Sequence, residues 1–227
     1  MLLNGVWYDV KHTKTIDKHT IKCYDITESA LDAVEKKIEA HASYGKDDKL
    51  LNKVIKEYPY NTDPSVVAMK IALIDVTNST HLSQHKSMVS VSMLAEKIVG
   101  LSFDVRVKGY DPELVNDIAG AIDGINLFSF ASKYCHLHNR HLYKGDDYPK
   151  YDGIVAKALP AYYEFRGIKS KPKVTHNYIE ALRKNQDYNT FKEVITRLLD
   201  DLGLSLTCGK YTKLDHFLWF TNRKAKE

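Results

Sequence analysis

Lys133 and Asp152 are the two side chains whose types and settings point to covalent chemistry. Lys133 ends the run Ile125-Asn126-Leu127-Phe128-Ser129-Phe130-Ala131-Ser132-Lys133, which leads into a helix. A lysine in the first turn of a helix lies at the positive end of its dipole. That position disfavours the ammonium and favours the neutral, nucleophilic amine. Schiff-base chemistry needs an amine of this kind. Asp152 follows Pro149-Lys150-Tyr151 and is placed to cap a helix over 152–159, where the same dipole keeps a carboxylate ionised. Alone, Lys133 reads as a solvated helix lysine and Asp152 as a plain cap. Together, each at a helix start, they offer a nucleophile and a charge to stabilise what it attacks.

A metal-dependent hydrolase built on Cys135, His136, His138, His141 and Asp146-Asp147 is the rival chemistry. Cys135 and His138 would share a helix face, but no second cluster completes a four-ligand site, so no metal and no cofactor are expected. Arg140, Lys144, Lys150 and Lys157 surround the following loop and are candidates for phosphate contact, against the plainer reading of a solvated face. The net charge of +4 fits one local basic face better than a uniformly cationic surface. Three cysteines without a CxxC pair suit free thiols in a reducing compartment. The N-terminal MLLNGVWYDVKHTK lacks the pattern of a signal peptide, and no apolar run reaches membrane-spanning length. The expectation is a soluble, monomeric, cytoplasmic protein, nucleoid-associated if bacterial.

The elements that must position these residues are helical. With 44% hydrophobic residues, the chain can bury one sizeable core. Residues 5–25 carry strand-type runs (Val6-Trp7-Tyr8, then Ile21 to Tyr24) that suggest a small hairpin. Leu31, Val34, Ile38 and Ala42 recur at helical spacing after Thr27 and Ser29. Leu50, Leu51, Val54 and Ile55 mark a second helix ending near Pro59. Asp63-Pro64 and Asp111-Pro112 each set a cap before a proline. The first opens VVAMKIALIDV, apolar on nearly every face and so expected to be the central buried helix. Further helices are expected near 88–99, 132–139, 152–159, 175–186, 189–202 and 212–223, with Thr212 and Asp215 as a capping box and one long loop over 139–150.

The helix over 112–122 breaks at Asp123-Gly124, and the helix carrying Lys133 follows. Two helices joined by a tight turn make a helix-hairpin-helix, spanning about 112–139, whose turn can bring backbone N–H groups against a phosphate. Over residues 65–160 the chain resembles the helix-hairpin-helix DNA glycosylases, and among them the lysine-bearing 8-oxoguanine glycosylase branch. In that family a hairpin of form L-P-G-V-G-T-K leads to the nucleophilic lysine, and an aspartate follows about twenty residues on, after a proline. Leu127 to Lys133 is similar to the first pattern, with Ser129 and Ala131 at the glycine positions, and Asp152 follows by nineteen residues.

The resemblance implies a single helical domain over 1–227, with two lobes flanking a cleft and a small N-terminal hairpin. It implies duplex DNA carrying a damaged or modified base as partner, an oxidised purine such as 8-oxoguanine being the first expectation. Lys133 would attack the sugar, assisted by Asp152, and the resulting imine would allow strand nicking. Leu127, Phe128, Ser129, Phe130, Ala131, Ser132 and Arg140 would contact DNA, and Asn78, in the turn after the third helix, would fill the gap left by an extruded base. His138 and His141 would line the base pocket, and Phe217 or Trp219 would stack on the base. A catalytically silent helix-hairpin-helix DNA-binding protein is the alternative.

Overall fold

The computed structural model describes residues 1–3, 6–41, 44–80, 82 and 90–223. Among them are eleven α-helices and two two-stranded antiparallel ribbons, so the fold is mainly α with a small N-terminal β element, as expected. The pairing differs from expectation. β1 (Leu2–Leu3) pairs with β2 (Val6–Trp7), whereas the hairpin proper joins β3 (His12–Ile16) to β4 (His19–Cys23). Its two-residue turn, Asp17-Lys18, has φ of 47° and 62°, the doubly left-handed geometry that suits the twist of a tight hairpin. Ile16, Ile21 and Cys23 turn inward, and the open end of the hairpin is tied to the helices. The Tyr24 N–H donates to the Tyr162 hydroxyl (3.0 Å), and the Lys22 N–H donates to Asn222 Oδ1 (2.7 Å).

The helices begin where local chemistry directs. Thr27 caps α1 (Glu28–Glu39) and accepts from the Ala30 N–H; α2 (Tyr44–Glu57) follows. Asp63 caps α3 (Pro64–Asn78), accepting from the Ser65 N–H at 2.8 Å with Pro64 in the first turn. α3 is not the central helix. It buries Val67, Lys70, Ile71 and Ile74, while Met69 and Val76 (81% exposed) face outward. Apolar residues all round a helix therefore did not mean burial all round.

Next come α4 (Val91–Val99), whose expected first residues 88–89 lie outside the described ones, and α5 (Phe103–Lys108). The six-residue α5 is too short to leave a periodic signature. α6 (Glu113–Ala119) starts after Asp111, whose carboxylate accepts the Glu113 N–H.

The central element is α7 (Phe128–Tyr143), with eleven of its sixteen residues buried. It starts four residues before its expected first residue and ends four after its expected last, which shortens the loop to 144–152. α6 and α7 form a hairpin about Gly124, whose φ of 75° is one that a side chain would strain. Asn126 anchors it: Oδ1 accepts from the Phe128 N–H (3.1 Å) and Nδ2 donates to the Arg183 carbonyl (2.8 Å).

α8 (Gly153–Arg166) runs straight through Pro160, which removes the bond the Ala156 carbonyl would have accepted. The His176 ring replaces it, Nδ1 lying 3.3 Å from that carbonyl. α9 (His176–Lys184) is capped by Thr175, α10 (Tyr188–Asp201) by Asp187.

α11 (Lys210–Asn222) corrects the proposed capping box. Thr212 lies inside the helix, and the cap is supplied from afar. Asp146 accepts from the Tyr211 N–H (2.7 Å) and from the N–H (3.0 Å) and hydroxyl (2.6 Å) of Thr212. One hydrophobic cluster runs from Ile21 to Leu218. Among the described residues no helix is long and apolar enough to cross a membrane.

Candidate active site

A cavity of about 130 Å³ opens where the end of α3, the middle of α7, the start of α8 and α11 converge. Lys133, Asp152, Asn78 and Trp219 all line it, so these four residues singled out in the sequence share one site. Thr77, Ser79, Lys150 and Asp215 complete it.

Lys133 sits in the second turn of α7, not the first, because the helix begins at Phe128. The dipole is therefore not what tunes its amine. Burial is: the residue is only 6% exposed, and loss of hydration pushes the amine below the usual lysine range. Asp152 opposes that shift, Lys150 adds to it, and Asp215 and Asp75 oppose it more weakly. Nζ donates to the Asn78 carbonyl at 2.9 Å and lies 3.9 Å from Asp152 Oδ2. The Asn78 carbonyl is available because α3 ends there, with Ser79 in the left-handed region (φ 49°).

Asp152 does two things with two oxygens. Oδ1 accepts the Ile154 N–H at 2.6 Å as the N-cap of α8, which leaves Oδ2 facing the amine. The segment that carries it is stapled to the core through its backbone. The Tyr151 N–H donates to Ser132 Oγ (2.9 Å), Ser129 Oγ donates to the Tyr151 carbonyl (3.2 Å), and the Tyr188 hydroxyl donates to the Pro149 carbonyl (2.9 Å). His136 holds the Tyr148 carbonyl through Nδ1 at 2.9 Å. Complete burial pushes His136 far below the usual histidine range, so its ring is neutral with the proton on Nδ1. The Tyr151 ring itself packs against Phe128, its hydroxyl bonded to Glu180.

Other expected contacts are corrected by burial. Leu127, Phe128, Phe130, Ala131 and Ser132 lie in the core, out of reach of a phosphate, because they already belong to α7 or pack beneath it. Ser129 and Ser132 act instead as the staples just described. His138 is fully buried between Tyr134 and Phe103, and Phe217 packs edge-on to Tyr24, so neither lines the cavity. Arg140 and His141 meet at Asp48, with Nη1 and Nε2 at 3.3 and 3.6 Å from its Oδ1. Arg140 borders a smaller recess that shares Thr77, Asn78 and Lys150 with the main cavity; His141 borders neither. Among the described residues no group of three or more His, Cys, Asp or Glu side chains could hold a metal ion.

Lys150 and Asp215 are the pair that sequence reasoning placed elsewhere, one as a phosphate contact and the other as a cap. They form a 2.7 Å ion pair on the cavity wall, with side chains 6% and 11% exposed. A clue lay in the spacing of Asp215 and Trp219, four residues apart and so on one helix face. The Trp219 ring is covered by the Arg223 guanidinium, 4.6 Å from its centroid.

Comparison with curated proteins and with solved structures finds no match. The family HI_0787_N, described as an N-terminal domain, matches residues 25–142. The matched segment holds Asn78 and Lys133 and stops short of Lys150, Asp152, Asp215 and Trp219. With just over half of its length matched, the chain belongs to the HI_0787_N family.

Proposed function

We propose that this protein is a DNA glycosylase with lyase activity that excises a damaged or modified base, an oxidised purine such as 8-oxoguanine first among them. The observation that carries the reading is the buried Lys133 amine, 3.9 Å from the N-cap carboxylate Asp152 on the wall of a single cavity. A lysine held nearly dry, with its carboxylate too far away for a strong hydrogen bond, is costly to fold and suited to act as a neutral nucleophile.

The helix-hairpin-helix supports the DNA partner. Gly124 is exposed at the α6–α7 turn, so its backbone, rather than the first residues of α7, is what would meet a phosphate, against the repulsion of the neighbouring Asp123 carboxylate. An extruded nucleotide would enter the cavity at a cost of a few kcal/mol for unstacking, less at a damaged pair. The Lys133 lone pair then forms a bond to C1′ while the glycosidic bond breaks and its electron pair leaves with the base. Asp152 Oδ2 stabilises the positive charge that develops on the sugar. The proton released by the amine passes through Asp152 Oδ2 to the ring oxygen as the C1′–O bond breaks and the imine forms; the same carboxylate then takes a C2′ proton, and the freed electron pair expels the 3′ phosphate. Trp219 offers a stacking face, and the Lys150–Asp215 pair offers a donor and an acceptor side by side for a base edge.

Borohydride trapping on duplexes carrying 8-oxoguanine or an abasic site tests this. A covalent adduct with the natural protein, absent in Lys133→Gln, is expected on both. An adduct on the abasic duplex alone keeps the chemistry and rejects the base. No adduct on either, with DNA binding intact, replaces the enzyme by a silent helix-hairpin-helix binding protein.

A further inference from the structure

Ser129, Ser132, His136 and Tyr188 hold the backbone of the segment before Asp152, whereas Tyr151 holds it by a side chain. The Tyr151 ring is 4% exposed and lies against Phe128 and Phe191, with centroids 5.4 and 5.5 Å away. Its hydroxyl donates to Glu180 Oε1 on α9. The other Glu180 oxygen, Oε2, accepts from Arg183 Nε at 3.0 Å. Burial raises Glu180, but the Tyr151 hydroxyl and the Arg183 guanidinium outweigh it and hold the carboxylate below its ordinary range. Both bonds therefore go to an ionised acceptor, the stronger kind.

α9 is itself fastened to the α6–α7 hairpin. The last carbonyls of a helix lack their i+4 partners. Asn126 Nδ2 donates to two of them, Arg183 at 2.8 Å and Lys184 at 3.4 Å, while its Oδ1 accepts the Phe128 N–H. One anchored helix thus reaches the residue next to Asp152. We propose that Glu180 is a positioning residue that fixes the separation of Asp152 and Lys133 by holding the Tyr151 hydroxyl on α9. That separation is 3.9 Å, wider than a hydrogen-bonded ion pair. Opposite charges attract, so a loosened segment lets the carboxylate close on the amine and hold its proton. What the separation serves rests on the glycosylase reading; the role of Glu180 in setting it does not.

Reductive methylation with formaldehyde and cyanoborohydride, read on the Lys133 peptide by mass spectrometry, follows the neutral amine against pH and needs neither DNA nor turnover. Tyr151→Phe removes one oxygen and Glu180→Gln one charge, and both leave Lys150, Asp215 and Asp75, the other charges around Lys133, in place. Each variant moves the Lys133 midpoint up by about half a pH unit, so labelling on the acidic side slows about threefold. Loss of the Glu180 charge alone would move it down, so a rise reports position. The double variant moves no further than either single one, because both break the same link. Thermal unfolding checks that each variant is folded, and one folded variant suffices. A midpoint that stays or falls in a folded variant, or shifts that add in the double one, overturns the proposal. On duplexes carrying 8-oxoguanine, at saturating protein and acidic pH, both variants excise about threefold more slowly with unchanged DNA affinity. Weaker DNA binding at an unchanged rate would place the two residues in DNA contact and overturn it as well. No excision by the natural protein would reject the glycosylase reading and leave the methylation midpoint to judge Glu180.

Discussion

Asp152→Asn separates the capping role of Asp152 from the charge it would supply in the proposed reaction. Asparagine caps a helix about as well as aspartate, so α8 and the Ile154 N–H keep their partner and the fold is preserved. What is lost is one negative charge 3.9 Å from the Lys133 amine. At an effective dielectric of about 20 that separation is worth about 4 kcal/mol. The Asp152 side chain is 26% exposed, and solvent reduces the attraction to roughly 1–2 kcal/mol, or about one pH unit. Asp152 raises the proton affinity of Lys133 against the larger effect of burial, so removing it lowers that affinity further. The amine then becomes neutral at lower pH. The assay is the rate of borohydride trapping on an abasic duplex as a function of pH. Its midpoint moves down by about one unit in Asp152→Asn, and trapping on the acidic side accelerates up to tenfold. Excision of an intact damaged base falls in the same variant by about a hundredfold or more, because the charge developing on the sugar loses its partner. A midpoint that stays put or moves up would refute the assignment of Asp152 as the charge that Lys133 feels most.

Ser132→Ala leaves the buried Tyr151 N–H without its acceptor and costs about 1–3 kcal/mol in urea unfolding; it also slows excision by loosening the segment that holds Asp152. Asp48 is pressed from both sides: burial raises it, but the His141 ring at 3.6 Å and the charge of Arg140 outweigh burial and bring it down to about 2. Its contribution to stability is complete above the ordinary carboxylate range and is lost as pH falls through about 2, so Asp48→Asn flattens stability between about pH 4 and 2 in acid titrations followed by circular dichroism.

Much of the frame was legible because it rests on short-range rules. Thr27 and Asp63 sit at helix starts as caps, and Gly124 takes the turn that only a glycine adopts without strain. Lys133, Asp152, Asn78 and Trp219 were each recognisable, and they meet in one cavity. Interactions across long stretches of chain were not legible. Asp146 caps a helix that starts more than sixty residues later, and His176 satisfies a carbonyl that Pro160 sets free twenty residues before it. Lys150 and Asp215 pair over a similar span, which is why each looked like a local feature when viewed alone. The hairpin residues misled for another reason. Leu127 to Ser132 match a phosphate-binding turn in size and polarity, but the helix begins early and carries them into the core.

That early start changes the physics of the Lys133 amine. Near the N-terminus, a lysine would be tuned by a dipole that fades within about one turn and is screened by salt. One turn further in, Lys133 is tuned by the absence of water, a stronger and salt-independent effect. Burial demands compensation, and the surroundings supply it sparingly: one carbonyl at 2.9 Å and one carboxylate at 3.9 Å, too far for a strong hydrogen bond. A closer carboxylate would hold the proton on the amine, whereas none at all would leave the ammonium form buried without a counter-charge. Ser129, Ser132, His136 and Tyr188 all act on the backbone of the segment before Asp152 rather than on its side chain. They therefore fix the separation of amine and carboxylate, the quantity on which the balance depends, while leaving both oxygens of Asp152 to their separate tasks.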